Sequence, residues 1–170
     1  MAVSFTIGYE LLGDILLIDF GLDEDSLGVI YAAIFFANAL FSRSSSYLSN
    51  KISPLNGIII VLVLFGITYV FTPFVGVGIL VLFTLLRNLF YSINENLRIE
   101  VLNKNIKSSK RATALSSFSM LRVGGYSLLA FLSAPVLRVV SPVDYAFVFG
   151  GIIFIASIGF WGLFINRKLR

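Results

Sequence analysis

This chain is built from apolar stretches long enough to cross a bilayer as helices, joined by connections too short to hold a soluble domain. A hydrophobic run of about 20 residues spans the hydrocarbon core as an α-helix. By that measure the sequence predicts six spans, over residues 1–20, 26–47, 54–72, 75–102, 111–140 and 142–165. Only 13% of the 170 residues are charged and 58% are hydrophobic, with a mean hydropathy of +0.94. A soluble domain carries about 25% charged residues, and a globule of this length cannot keep so much apolar surface from water. The expected fold class is all-α: a polytopic membrane protein forming one six-helix domain over residues 1–170.

The breaks between spans have local causes. The acidic run Asp23-Glu24-Asp25 separates the first pair, and Ser26 is placed to cap the second helix. Ser53-Pro54 and Ser141-Pro142 each read as an N-cap followed by Pro at the first helical position. Thr72-Pro73 closes the third span, because the residue before Pro disfavours helix. Asn103 to Lys110 is the clearly water-soluble loop.

Basic residues gather on the cytoplasmic side of membrane proteins. Arg43, Lys51, Lys104, Lys107, Lys110, Arg111, Arg167, Lys168 and Arg170 share one alternating set of span ends, against Arg138 alone on the other. The opposite set carries Asp19, Asp23, Glu24, Asp25 and Asp144 instead. Both ends of the chain are therefore expected on the cytoplasmic side of a plasma or bacterial inner membrane. Because the basic residues sort in this way, the net charge of +4 does not indicate a nucleic-acid partner.

The chain has no Cys and no His. That removes disulfides, thiolate nucleophiles, His-based dyads and imidazole metal sites. Neither an enzyme nor a cofactor or metal is expected. Asp14 and Asp19 do not form a catalytic carboxylate pair, since they lie on different helix faces and at different depths.

Ionisable groups at membrane depth cost about 2.5–3.5 kcal/mol even on insertion scales and mark functional sites. At about 1.5 Å per residue, Glu10 lies roughly 15 Å from the outer end of the first span, with Asp14 one turn further out. On the same scale Arg87 lies roughly 16 Å below the outer start of the fourth span, and Arg122 roughly 15 Å above the inner start of the fifth. Glu10, Arg87 and Arg122 thus fall near one layer close to the midplane. In the fourth span Arg87, Tyr91, Asn94 and Arg98 share an arc of roughly 60°, with Glu95 at its edge. Thr6, Glu10 and Asp14 form a similar stripe on the first. Such stripes face a water-filled cavity or a protein partner. The plainer alternative is an ion-pair cluster that fastens helices together.

Other polar and small residues have simpler readings. Glu100 lies off the stripe and is expected to pair with Lys104 at i+4. Gly28-xxx-Ala32 and Ala33-xxx-Ala37 permit close packing of the second span. Gly124-Gly125 permits a bend or a close crossing in the fifth. The second, third and sixth spans lack central charges and read as supporting or lipid-facing helices. The tyrosines, Tyr126 among them, and Trp161 read mainly as interfacial belt residues.

Arg111-Ala-Thr-Ala-Leu-Ser-Ser, opening the fifth span after a basic loop, resembles the RAT-x-LS stretch of many bacterial major facilitator superfamily transporters. Leu11–Leu22 with its Gly21 exit, followed by Leu27-Gly28, is similar to the family's seventh-to-eighth helix transition. The resemblance covers the whole chain as the C-terminal six-helix half, helices seven to twelve. Ser46-Tyr-Leu-Ser-Asn-Lys-Ile-Ser53 reads as a degenerate copy of the family's loop motif, with serines for glycines, Asn50 for the acidic residue and Lys51 for arginine. That departure puts a charge-relay gate there in doubt. The entry of Met1 directly into apolar sequence reads as the outer part of a longer first helix, and the chain as a half or fragment.

The resemblance implies inverted three-plus-three helix repeats and alternating access around a midplane site. It places the first and fourth spans along the cavity. On this reading Glu10 and Asp14 carry the coupling proton or a cationic group. Arg87 and Arg122 meet an anionic substrate group, Tyr91 and Asn94 line the site, and Glu95 with Arg98 form an inner gate pair. The expected activity is secondary active transport of a small solute, foremost proton-coupled efflux of a drug or metabolite. Its expected partners are that solute, protons, the lipid bilayer, and a missing N-terminal half or a second copy. The alternative is a self-assembling six-helix channel or carrier complete at this length.

Overall fold

The computed structural model describes residues 6–41 and 52–168, which are helical with no strand among them. A π turn, Ile7–Leu11, leads into α1, Leu12–Asp19. There follow α2, Glu24–Phe41; α3, Pro54–Val70; α4, Val77–Asn105; α5, Arg111–Val136; and α6, Pro142–Lys168. Four segments are long and apolar enough to cross a membrane: Glu24–Phe41, Val77–Asn105, Ser108–Val136 and Pro142–Gly162. These are compatible with a membrane-embedded protein. α3 is apolar but spans only 17 residues, and the helical part of the first segment is shorter still. Arg43, Lys51, Arg170 and most of the degenerate loop motif at Ser46–Ser53 lie outside the described residues.

The helix ends follow local chemistry. Gly21, at φ +87°, closes α1: its N–H bonds the Ile18 carbonyl at 2.9 Å and the Leu22 N–H bonds the Leu17 carbonyl at 3.1 Å. This is a Schellman stop, which needs a left-handed residue after the helix. The cap of α2 is Asp23 and not Ser26: the Ser26 N–H donates to Asp23 Oδ1 at 3.1 Å. An Asp one turn upstream already offers the oxygen, so α2 starts at Glu24. Ser53 caps α3 ahead of Pro54, accepting from the Asn56 N–H at 3.4 Å. Ser141 caps α6, accepting from the Asp144 N–H at 3.1 Å and donating back to its carboxylate at 2.8 Å.

Two ends differ from the sequence expectation. Helix α4 continues to Asn105, through the start of the expected loop, helped by the Glu100–Lys104 pair at 2.6 Å. Helix α5 carries Pro135 within its last turn and ends at Val136, not at 140.

Helix α3 is the hub. Its Val61, Leu62, Phe65 and Tyr69 are buried with Leu12, Leu16 and Leu17 of α1, Leu80 of α4, and Ala146 and Ile153 of α6. The third span is therefore a supporting helix packed between α4 and α6, with Leu55, Ile60 and Leu64 exposed on its remaining face. In lipid, helices gain little from apolar burial and associate through close packing and hydrogen bonds. Gly66 and Gly150 provide that closeness: a Cβ on Gly150 would stand 2.5 Å from Tyr69 Cβ and 2.9 Å from the Gly66 carbonyl oxygen. α2 and α5 lie at the periphery, with Val29, Phe36, Leu121 and Phe131 largely exposed. Gly28 and Gly124 themselves have open space beside them among the described residues.

Candidate functional site

Tyr91, Glu95 and Arg98 stand one turn apart on α4, facing Phe118, Arg122 and Tyr126, one turn apart on α5. Arg122 bridges the helices, its NH1 donating to the Tyr91 hydroxyl at 3.0 Å and to Glu95 Oε1 at 2.9 Å. Glu95 gives its other oxygen to Arg98, whose guanidinium also lies over the Phe118 ring, 4.6 Å from its centroid. Glu10 joins from the π turn before α1. The π turn packs against α5, which brings the Glu10 carboxylate close to Arg122 and Tyr126. One network of charges therefore links α1, α4 and α5.

The network is accessible without being loose. Glu95 and Arg122 side chains are 21% and 20% exposed, and Arg98 14%, while Glu10 is exposed. The Nε of Arg122 and the Nε and NH1 of Arg98 have no hydrogen-bond partner among the described residues. Buried donors without partners are rare in folded proteins. These arginines thus retain hydrogen-bonding capacity beyond their contacts with Glu95. The arrangement can hold or exchange a proton at a carboxylate and bind a polar group between fixed guanidinium groups.

Arg87 is placed elsewhere. It is 2% exposed, and its hydrogen bonds run to α3 and the turn after it: Nε to Thr68 Oγ1 at 3.0 Å, NH2 to the Thr68 carbonyl at 2.7 Å and to Thr72 Oγ1 at 2.5 Å. Its guanidinium stacks 3.7 Å from the centroid of the Tyr69 ring. The shared depth of Arg87, Glu10 and Arg122 therefore does not bring them into one cluster. The polar arc of α4 is divided between two neighbours: the Arg87 edge lies under α3, and the Glu95 edge faces α5. Asn94, i+7 from Arg87, is also buried.

Asp14 is held apart from the network by Tyr31 of α2, whose hydroxyl donates to Asp14 Oδ1 at 2.5 Å. Glu95 and Arg98 do pair, and they extend the interhelical cluster through Arg122. Phe118 and Tyr126 were not among the expected site residues. Their i−4 and i+4 spacing from Arg122 would have placed them on its face. Among the described residues no group of three acidic side chains is placed to hold a metal ion.

No known protein-family model, curated protein or solved structure matches this chain.

Proposed function

We propose that this chain is a unit of a secondary active transporter that moves a small solute across a cell membrane by alternating access, coupled to protons. The observation that carries this reading is the Arg122–Glu95–Arg98 ion-pair cluster between α4 and α5, with the Glu10 carboxylate on the π turn beside it. Charges that only fasten helices together need not remain partly exposed. A carboxylate at membrane depth that water can reach can take up and release the coupling proton. Efflux of a drug-like or metabolic solute in exchange for protons is the first form of this activity.

The family reading rests on the Arg111-Ala-Thr-Ala-Leu-Ser-Ser opening of α5 and on the order of elements. In this reading α1 and α3 complete six spans arranged as inverted repeats, with both chain ends cytoplasmic. Glu10 serves as the proton site, Arg122 and Tyr91 meet the solute, and Glu95 with Arg98 gate it. Asp14 and Asn94 flank that path. Arg87, buried under α3, has a supporting role.

A second six-helix unit closes the cavity. The exposed Glu10 and Asp14 of the first segment, with the exposed apolar faces of α2 and α5, favour protein cover over lipid alone. The same faces favour the second reading, a self-assembling channel or carrier. Mass measurement of the detergent-solubilised chain tests the second reading, which requires a defined homo-oligomer, and a monomer counts against it. The test of transport is solute movement in proteoliposomes under an imposed pH gradient, using a panel of organic cations and metabolites. Movement that follows the gradient supports the proposal, and its absence across the panel counts against it.

A further inference from the structure

Glu10 sits inside a π turn, and the hydrogen bonds of that turn identify what holds it. In an α-helix the Leu12 N–H would bond the Gly8 carbonyl, four residues back. Here it bonds the Ile7 carbonyl, five back. The Gly8 carbonyl accepts instead from the Tyr69 hydroxyl, at 2.7 Å in a buried environment. Isolated π turns are rare and recur at functional sites. A stranded carbonyl in an apolar bundle is costly unless a side chain satisfies it. Tyr69 is that side chain.

The neighbours fix Tyr69 and leave it little freedom. It is fully buried, and its ring lies between the Phe65 ring, 5.1 Å away centroid to centroid, and the Arg87 guanidinium, 3.7 Å from its centroid. Arg87 in turn grips Thr68 and Thr72 on either side of Tyr69. Arg87 takes part in no salt bridge among the described residues, and its NH1 has no partner there. A buried guanidinium with no carboxylate partner is expensive, and here the hydrogen bonds to Thr68 and Thr72 and the ring face of Tyr69 compensate it together. Gly8 completes the fit, since a Cβ there would stand 2.5 Å from Phe65 Cζ and 2.9 Å from the Tyr69 hydroxyl.

We propose that Tyr69 and Arg87 are positioning residues that hold the first helix in its π register and so aim Glu10 at Arg122 and Tyr126. The C-terminal side of the turn is anchored by Leu12, Leu16 and Leu17, all fully buried. Losing the latch lets the turn relax to α-helical pairing. The segment before it then rotates by up to about 100°, the step of one residue. Glu10 leaves its bearing on Arg122, and Ile7, now 2% exposed, turns outward. The consequence for proton coupling rests on the transport reading above, but the latch itself does not.

Because the chain has no cysteine, single cysteines report the register directly. Ile7→Cys and Leu16→Cys are introduced separately into the full chain in detergent and reacted with N-ethylmaleimide. In an otherwise unchanged chain both are expected to be protected. Adding Tyr69→Phe removes the hydroxyl and keeps the ring. The labelling rate at Ile7→Cys is expected to rise roughly tenfold, the equivalent of about 1.4 kcal/mol, while Leu16→Cys stays protected. Gly8→Ala, which pushes the hydroxyl off its carbonyl, and Arg87→Gln are expected to give the same contrast.

An Ile7→Cys rate unchanged by Tyr69→Phe overturns the proposal, and so does an equal rise at both cysteines, which reports general loosening. If Tyr69→Phe does not yield folded protein, Gly8→Ala decides on the same two readings. Protection retained in Arg87→Gln removes Arg87 from the latch. Proton-driven flux is scored separately: the labelling contrast without flux supports the latch and counts against transport, and flux without the contrast does the reverse.

Discussion

Glu95 on α4 gives one carboxylate oxygen to Arg122 of α5, at 2.9 Å, and the other to Arg98 of its own helix. One carboxylate is thus shared between two guanidinium groups and ties together helices that otherwise touch little. Removing Glu95 takes the carboxylate from two partly buried guanidinium groups, and removing Arg122 cuts the tie between the helices while Glu95 keeps Arg98. Glu95→Gln and Arg122→Gln are each expected to cost about 1.5–3 kcal/mol, the worth of a hydrogen bond to a charged group. The double variant should lose less than the sum, as contacting residues do. SDS-driven unfolding in micelles checks this, and strictly additive losses would contradict it.

The α3–α6 crossing depends on two glycines and not on apolar area. A side chain on Gly150 meets backbone as well as side chain, with Val70 N 2.8 Å from the added Cβ. Gly150→Leu is expected to destabilise by about 1–3 kcal/mol, the usual cost of overpacking. Gly124→Leu, in open space, should stay within about 0.5 kcal/mol, as surface substitutions do. The same unfolding assay ranks the two, and equal losses would contradict the crossing.

Much of the local structure was readable from the sequence because it depends on neighbours within one turn. Ser53-Pro54, Ser141-Pro142, Gly21 and the Glu100–Lys104 pair all act over spacings of four residues or fewer. Asp23 and Ser26 are equally suitable cap types three residues apart, and the upstream one takes the role. Depth was a weaker guide. Counting residues along the spans put Arg87 level with Glu10 and Arg122, but a helical arc does not say which neighbour covers each of its edges. Arg87 went under α3 and Glu95 toward α5. The π turn was not foreseeable either, since it depends on Tyr69, 61 residues away from Gly8.

Asp23 caps α2 from an exposed turn, and its hydrogen bonding with Ser26 holds its pKa below the ordinary aspartate value. A depressed carboxylate contributes stability above its unfolded value and loses it as pH falls through the folded one. The start of α2 is therefore expected to fray only in acid, below pH 3.8. Asp23→Asn should keep the cap and lose that acid dependence, and Asp23→Ala should lack the cap at every pH. Amide hydrogen exchange at Ser26 and Leu27 across that range measures it. An unchanged acid response in Asp23→Asn would contradict the assignment.

The most direct test of the account is proton-driven flux through Glu10 in reconstituted vesicles. With a pH gradient imposed and a transported solute found in the panel, Glu10→Gln is expected to abolish coupled movement while the protein still inserts and folds. Asp14→Asn, whose carboxylate is engaged by Tyr31 rather than by the arginine network, is expected to weaken coupling. Full coupling retained in both variants would contradict the central claim that a carboxylate of the first helix carries the proton.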